Sequence, residues 1–290
     1  MHTGESPFHD RLILWKGPAV KIVVGISAED REFIILKQAV QCFRPTEVIL
    51  VHAIDLGLYF ELSVAVEDGE DAGRHLLEKA AGTVAKDVKI IRKVNESANP
   101  ADLILETTER EDADLVVVGT RGRSRLTEAF VGSVSARVFL HTSRSTLVVK
   151  GAVRKVERVL VAVEGPDDAD RIVAWLRRHP LKDPAELRVV HAVAPGGIKD
   201  DTGKSLSPAE AHQRAERLVG EAASALAQSS YKVSTKVAAG KPVALIEEQA
   251  KGMDLVVVSS HGRTGMSRFL VGSVSHSVVH DVACSVLIVR

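Results

Sequence analysis

Short runs in which nearly every position is apolar alternate along this chain with longer stretches that are apolar at every third or fourth position. In the first half the runs are Lys21–Ile26, Glu47–Ala53, Val88–Val94, Leu115–Val118 and Ser145–Val149. In the second they are Arg158–Val163, Glu186–Val193, Tyr231–Val237, Leu255–Val258 and Ser285–Val289. Runs so rich in Val and Ile, apolar on both faces, are the pattern of strands buried on both sides. The stretches between them have the 3.6-residue period of helices with one apolar stripe. These are Glu29–Cys42, Gly69–Lys86 and Ala101–Arg110, then Asp167–His179, Ser207–Gln228 and Pro242–Lys251. The alternation predicts an α/β fold: in each half a parallel sheet of five strands with helices on both faces, built from right-handed crossovers.

The two halves are copies. Asp114–Lys150 matches Asp254–Arg290 without a gap, 16 of 37 positions being identical, which makes the chain a tandem duplication. We place the domains at 1–151 and 152–290, joined by the short junction Gly151–Lys155 that keeps them close together. The copies differ after the second strand, where residues 56–68 are mostly apolar and residues 195–206 are polar. Residues 1–18 have no counterpart, and Leu12–Trp15 is expected to pack on a domain surface.

Composition narrows the class. The 290 residues are 45% hydrophobic and 26% charged, which suits two ordinary globular domains. The net charge is zero, divided as −3 and +3 between the halves, too weak a bias for electrostatic nucleic-acid binding. Cys42 and Cys284 are the two cysteines, so no disulfide framework or cysteine metal cluster is expected, and both read as buried small apolar residues. No signal-peptide pattern or membrane-length apolar run is present, and the expected location is the cytoplasm.

The candidate chemistry lies in the duplicated segment. Gly119-Thr120-Arg121-Gly122 follows the fourth strand directly, and nine residues later Gly132-Ser133-Val134-Ser135 opens a helix. Glycine after a strand permits a positive φ and a close backbone approach to a ligand. Ser133 has the character of an N-cap, and a helix N-terminus offers unpaired N–H groups and a partial positive charge to a phosphate. In a parallel sheet, ligands sit beyond the carboxyl ends of the strands, where the strand order reverses. That places Gly25-Ile26-Ser27, and Val163-Glu164 in the second half, beside the same point. Turns and caps of this kind are common without any ligand, and their recurrence with one spacing in both halves is what raises them above that background.

The pattern Gly-x2-Gly-x9-Gly-Ser resembles the ATP-binding branch of the universal stress protein family. So do Lys21–Ile26, Val51-His52-Ala53 and the endings Ser145–Lys150 and Ser285–Arg290. The resemblance covers nearly the whole chain as two tandem domains. It implies a Rossmann-like sheet of order 3-2-1-4-5 in each domain. It also implies a triphosphate held by Gly119, Thr120, Gly122, Arg123, Gly132, Ser133, Val134 and Ser135. Ala53 and Ala192 are implied to contact adenine through their backbone, and the second-half counterparts are Gly262, Arg263, Gly272, Ser273, Val274 and Ser275. The family's ribose-contacting Asp is replaced by Ser27 and Glu164, and its first loop glycine by Ser259 in the second half. A serine forced to positive φ would be strained by ~1 kcal/mol, so the first half keeps the better phosphate loop and the second, with Glu164, the better ribose acid; the first half is expected to hold the stronger site, because phosphates dominate the charge to be bound. Family edge strands pair two domains, which implies an internal pseudo-dimer here, with a homodimer of chains as a further expectation.

Other motifs carry less. Gly203-Lys204-Ser205 lacks the earlier glycine of a P-loop, since Ile198 occupies that position, and no Gly-x-Gly-x-x-Gly follows the first strand. His276 and His280 have metal-ligand spacing on one helix, but a solvated face is expected, because the other copy has Ala136 and Leu140 there. His52 and His191 are expected to be packed and bonded to backbone, and at least two of Arg121, Arg123 and Arg125 to be solvated. The leading function is an ATP-binding stress-response protein, with or without Mg2+, acting through conformation or partners and hydrolysing ATP slowly at most. The alternatives are a scaffold with vestigial sites and a nucleotidyl transferase or ATP pyrophosphatase. The last is disfavoured because neither His-x-Gly-His nor Ser-Gly-Gly-x-Asp-Ser occurs.

Overall fold

In the computed structural model, residues 20–30, 32–55, 66–97, 99–120, 131–194, 206–229, 231–260 and 271–290 are described. The first half runs β1 (Val20–Gly25), α1 (Ile34–Cys42), β2 (Pro45–Asp55), α2 (Val66–Ala81), β3 (Lys89–Ser97), α3 (Pro100–Arg110), β4 (Leu115–Gly119), α4 (Ser133–His141) and β5 (Ser145–Val149). The second runs β6 (Arg158–Ala162), α5 (Pro166–Arg178), β7 (Glu186–Val193), α6 (Pro208–Ala227), β8 (Lys232–Ala239), α7 (Pro242–Ala250), β9 (Leu255–Ser259), α8 (Ser273–Asp281) and β10 (Ser285–Val289). Each half has the order 3-2-1-4-5 with parallel neighbours, as expected.

Every expected strand and helix between these bounds is present, with shifts that have local causes. The Asp30 carboxylate accepts the amides of Ile34 and Ile35 at 2.9 and 3.1 Å, so α1 begins five residues after Glu29. Gly82 and Thr83 turn back onto the carbonyls of Glu78 and Ala80, and α2 ends at Ala81 rather than Lys86. The expectations for residues 1–18, for most of the apolar segment 56–68 and for Gly203-Lys204-Ser205 lie outside the described residues.

The two half-sheets join into one of ten strands, ordered β3-β2-β1-β4-β5-β10-β9-β6-β7-β8. β5 and β10 pair antiparallel, with Leu147 opposite Leu287, Val148 opposite Val286 and Thr146 opposite Ile288. Leu147 and Leu287 are duplicate positions, so an approximate twofold axis passes between them. Pairing removes both Val-rich edges from solvent.

On one face of this seam α1 and α5 meet. Phe43 and Trp175 stack edge-on at 5.4 Å, the Lys182 amide donates to the Cys42 carbonyl at 2.8 Å, and the Gln38 amide bonds both backbone groups of Arg154 in the linker. On the other face duplicate residues cross over reciprocally. The Lys150 ammonium donates to the Val282 carbonyl at 2.5 Å, and the Arg290 guanidinium to the Phe139 carbonyl at 2.6 Å. Each cation thus meets the carbonyl end of the other half's helix, where the helix dipole is negative. Burial pushes the Lys150 ammonium down to about 8 and the Arg290 guanidinium down to about 10.

Candidate functional site

The carboxyl edge of the first half-sheet gathers β1, β2 and β4, because β1 lies between the other two. The Ser135 hydroxyl donates to the Gly119 carbonyl and pins the start of α4 to the end of β4; Ser275 does the same to Ser259 at 2.5 Å. Both hydroxyls are therefore positioning groups with their protons engaged, and both residues are buried. Thr120 is also buried, its amide donating to the Val149 carbonyl at 3.0 Å.

Two local expectations are corrected. The N-caps of α4 and α8 are Gly132 and Gly272, not the serines. Their backbone is extended, and their carbonyls already accept the amides of Ala136 and His276 at 2.9 Å each, which makes Ser133 and Ser273 the first helical residues. Neither helix start has a side-chain cap, and both serines are exposed, with Val134 and Val274 half-buried beside them.

The second correction concerns strain. Gly119 is still paired with Val149 and Ser259 with Val289, inside extended strands. Neither is among the positive-φ residues, which among the described residues are Phe33, Asp112 and glycines 151, 240 and 252. Ser259 therefore carries no left-handed strain. At Gly25 a Cβ would stand 2.7 Å from Cδ1 of Ile104 on α3, so a side chain there requires the end of Ile104 to shift.

The two strand-end histidines divert a sheet ladder. The Ile26 amide donates to the Val51 carbonyl at 2.8 Å, and the next rung would join the Ala53 amide to the Ile26 carbonyl. That carbonyl instead accepts His52 Nδ1–H at 2.8 Å, and the β1–β2 ladder ends at Gly25 opposite Val51. A carbonyl acceptor requires the proton on Nδ1. Strand alternation then directs the Ala53 N–H and C=O toward the open side above β1. The second half repeats this with the Val163 amide on the Val190 carbonyl, His191 Nδ1 on the Val163 carbonyl at 2.9 Å, and Ala192 beyond.

The two positions that the family resemblance assigns to a ribose differ between the halves. Ser27 is exposed, and its hydroxyl accepts the Glu29 amide at 3.2 Å. Glu164 is exposed, while its amide donates to Asp168 at 2.7 Å. Asp168 and Arg171 were not foreseen. The Ser259 hydroxyl joins them, donating to Asp168 and accepting from Arg171 at 2.7 Å. Their only sequence signal is an acidic first turn after Gly165-Pro166, ordinary for any helix.

Burial raises the Asp168 carboxyl above the usual range, against the Glu164 amide and the Ser259 hydroxyl, which lower it. The folded state therefore holds this proton more tightly than the unfolded chain. Its stabilising contribution is complete below the ordinary aspartate value of about 4 and is lost as pH rises through the raised value. Asp168→Asn retains an acceptor for the Glu164 amide and does not titrate. Thermal melts from about pH 4 to neutrality should show the wild type losing stability relative to this variant; parallel profiles would refute the assignment.

Gly122, Arg123, Gly262 and Arg263, with Arg121 and Arg125, lie outside the described residues. Burial raises the thiols of Cys42 to about 12 and Cys284 to about 11, so neither is a nucleophile near neutrality. His276 is exposed, as expected, but His280 is half-buried and its ring stacks on His276 at 4.7 Å. Among the described residues no group of three His, Cys, Asp or Glu is placed to hold a metal ion, and no helix is long and apolar enough to cross a membrane.

The model of the universal stress protein family matches residues 20–150 and again residues 155–290. The chain is 25% identical to universal stress protein Rv2623 of Mycobacterium tuberculosis, across all of this chain and 99% of that protein. It is 27% identical to universal stress protein Rv2005c of the same organism, over 76% of this chain and 78% of the other. A universal stress protein structure from Archaeoglobus fulgidus superposes with a TM-score of 0.67 over 93% of this chain and 98% of its own, at 16% identity. With two consecutive matches spanning nearly all of its length, the chain belongs to the universal stress protein family.

Proposed function

We propose that the chain is an ATP-binding member of its family that acts in a cytoplasmic stress response through conformation or partners. The observation that carries this reading is the convergence, in each half, of an uncapped helix start and a diverted strand-2 backbone on one sheet edge. The α4 amides of Ser133, Val134 and Ser135 suit phosphate, Ala53 suits the adenine edge, and Gly25, Ile26 and Ser27 border the ribose. Gly122 and Arg123 are assigned by the family motif to the phosphate loop. The set Val163, Glu164, Ala192, Gly262, Arg263, Gly272, Ser273, Val274 and Ser275 is the second-half counterpart. Any Mg2+ would arrive on the triphosphate, the usual mode for this ion.

The first half is the stronger candidate, for a reason other than strain. Gly119 puts no side chain at the edge of β4, whereas Ser259 brings a hydroxyl already engaged by Asp168 and Arg171. That cluster favours a vestigial second site. We further read the β5–β10 pairing as an internal pseudo-dimer of the two domains. The direct experiment is equilibrium binding of ATP to the purified chain and to Gly122→Asp and Gly262→Asp. Binding in the micromolar to millimolar range that is lost mainly in Gly122→Asp is expected. No binding by the wild type would overturn the reading, and selective loss in Gly262→Asp would reverse the preference between halves.

A further inference from the structure

Helix α8 carries a pair of side chains that the nucleotide reading does not use. His276 and His280 lie four residues apart on it, a spacing that puts both rings on one face. Their ring centroids are 4.7 Å apart, with planes tilted by 37°. His276 also lies against Phe139 of α4, across the seam between the halves, at 6.0 Å between centroids. His276 is exposed and His280 half-buried, so solvent reaches the pair.

Packing does not call for imidazoles here. The duplicate positions on α4 are Ala136 and Leu140, partly buried apolar residues that fill the same place in the first half. His52 and His191 each commit a ring nitrogen to a backbone carbonyl. Among the described residues, the rings of His276 and His280 contact aromatic neighbours and make no hydrogen bond.

Two histidines at i, i+4 on a helix are a chelating unit for zinc. A zinc ion about 2.0–2.1 Å from one nitrogen of each ring sets the ring centres about 4.5 Å apart for a right-angled pair of bonds, and about 5.2 Å for a tetrahedral pair. The observed 4.7 Å falls between these. The charges acting on His280 are the Lys150 ammonium and the adjacent Asp281 carboxylate, of opposite sign, and the ammonium is engaged by the Val282 carbonyl.

We propose that His276 and His280 chelate a divalent metal ion of the zinc class beside the seam. No third His, Cys, Asp or Glu joins them among the described residues, so water or an incoming ligand completes the coordination. Imidazole nitrogens suit zinc and nickel, whereas Mg2+ takes oxygen ligands. The site is therefore distinct in kind from any Mg2+ carried on a triphosphate.

The test is calorimetric titration of the nucleotide-free full chain with zinc chloride at about pH 7.5, above the usual imidazole range. His276→Ala and His280→Leu give each position the residue that the other copy holds there. Wild-type binding is expected, with a loss of about tenfold or more in each variant, since removing even an outer-shell partner of a metal costs about 10–100-fold. His212→Ala removes an exposed histidine of α6, 3.5 Å from Glu216, and should change little. Absence of zinc binding by the wild type, a loss confined to one of the two positions, or an equal loss in His212→Ala would overturn the proposal. In the unmutated chain, zinc should also protect His276 from acylation by diethyl pyrocarbonate, read by mass spectrometry, while His212 stays reactive. Magnesium in place of zinc should protect neither. Equal reactivity of His276 with and without zinc would overturn the proposal independently of any variant.

Discussion

Gly132→Asp is expected to weaken ATP binding severely while leaving the melting temperature unchanged or slightly raised. Gly132 is the N-cap of α4 at φ −62° and ψ 157°, a conformation open to any L-residue, and no side chain caps the helix. Aspartate is among the preferred N-caps, and its gain over glycine is a few tenths of a kcal/mol. The same carboxylate would lie against the triphosphate and compete for the amides of the first turn. A loss of affinity of about 100-fold corresponds to ~2.7 kcal/mol, within reach of a like charge in direct contact. Gly272→Asp, at φ −62° and ψ 154° on α8, makes the same test of the second half. Calorimetric titration beside thermal melts separates the two effects. Retained ATP binding in Gly132→Asp would remove α4 from the site, and a large drop in melting temperature would make the glycine structural.

Leu287→Asp should have the largest effect on stability. Leu287 is fully buried and faces its duplicate Leu147 across the seam, with α1 and α5 covering that face. A carboxylate there has no partner and no water, and the leucine packing is lost as well. Together these should cost more than about 4 kcal/mol, against about 2–5 kcal/mol for Leu287→Ala. Chemical denaturation followed by circular dichroism would read this, with Val153→Asp as the control because Val153 is 39% exposed. A seam variant as stable as that control would show that the ten-stranded sheet contributes little to folding.

The fold was legible because its signal is local and repeated. Runs such as Leu115–Val118 and Leu255–Val258 are apolar on both faces, which only a doubly covered strand requires, and the duplication reads the pattern twice. Helix starts were less legible, since α1 waits for the Asp30 carboxylate to meet the amides of Ile34 and Ile35. At the site, the Gly-Ser pairs announced helix starts correctly, but which residue caps depended on whose carbonyl accepts the first helical bond. The glycine-to-serine change at 259 looked like a backbone lesion. It proved to be a side-chain question, because the strand continues one residue further and keeps that position extended.

By itself the sequence determined the duplication, the doubly wound halves and the Gly-Ser helix starts that follow the fourth strands. These follow from the spacing of apolar residues and from the conformational preferences of glycine and serine within a few positions of one another. Only the tertiary structure decided that His52 and His191 take the carbonyls of the neighbouring strand, and that Asp168 and Arg171 close on Ser259. Each of these joins residues that are distant in the chain. Their meeting depends on strand order, register and the angle of helix packing, which no local pattern of side chains records.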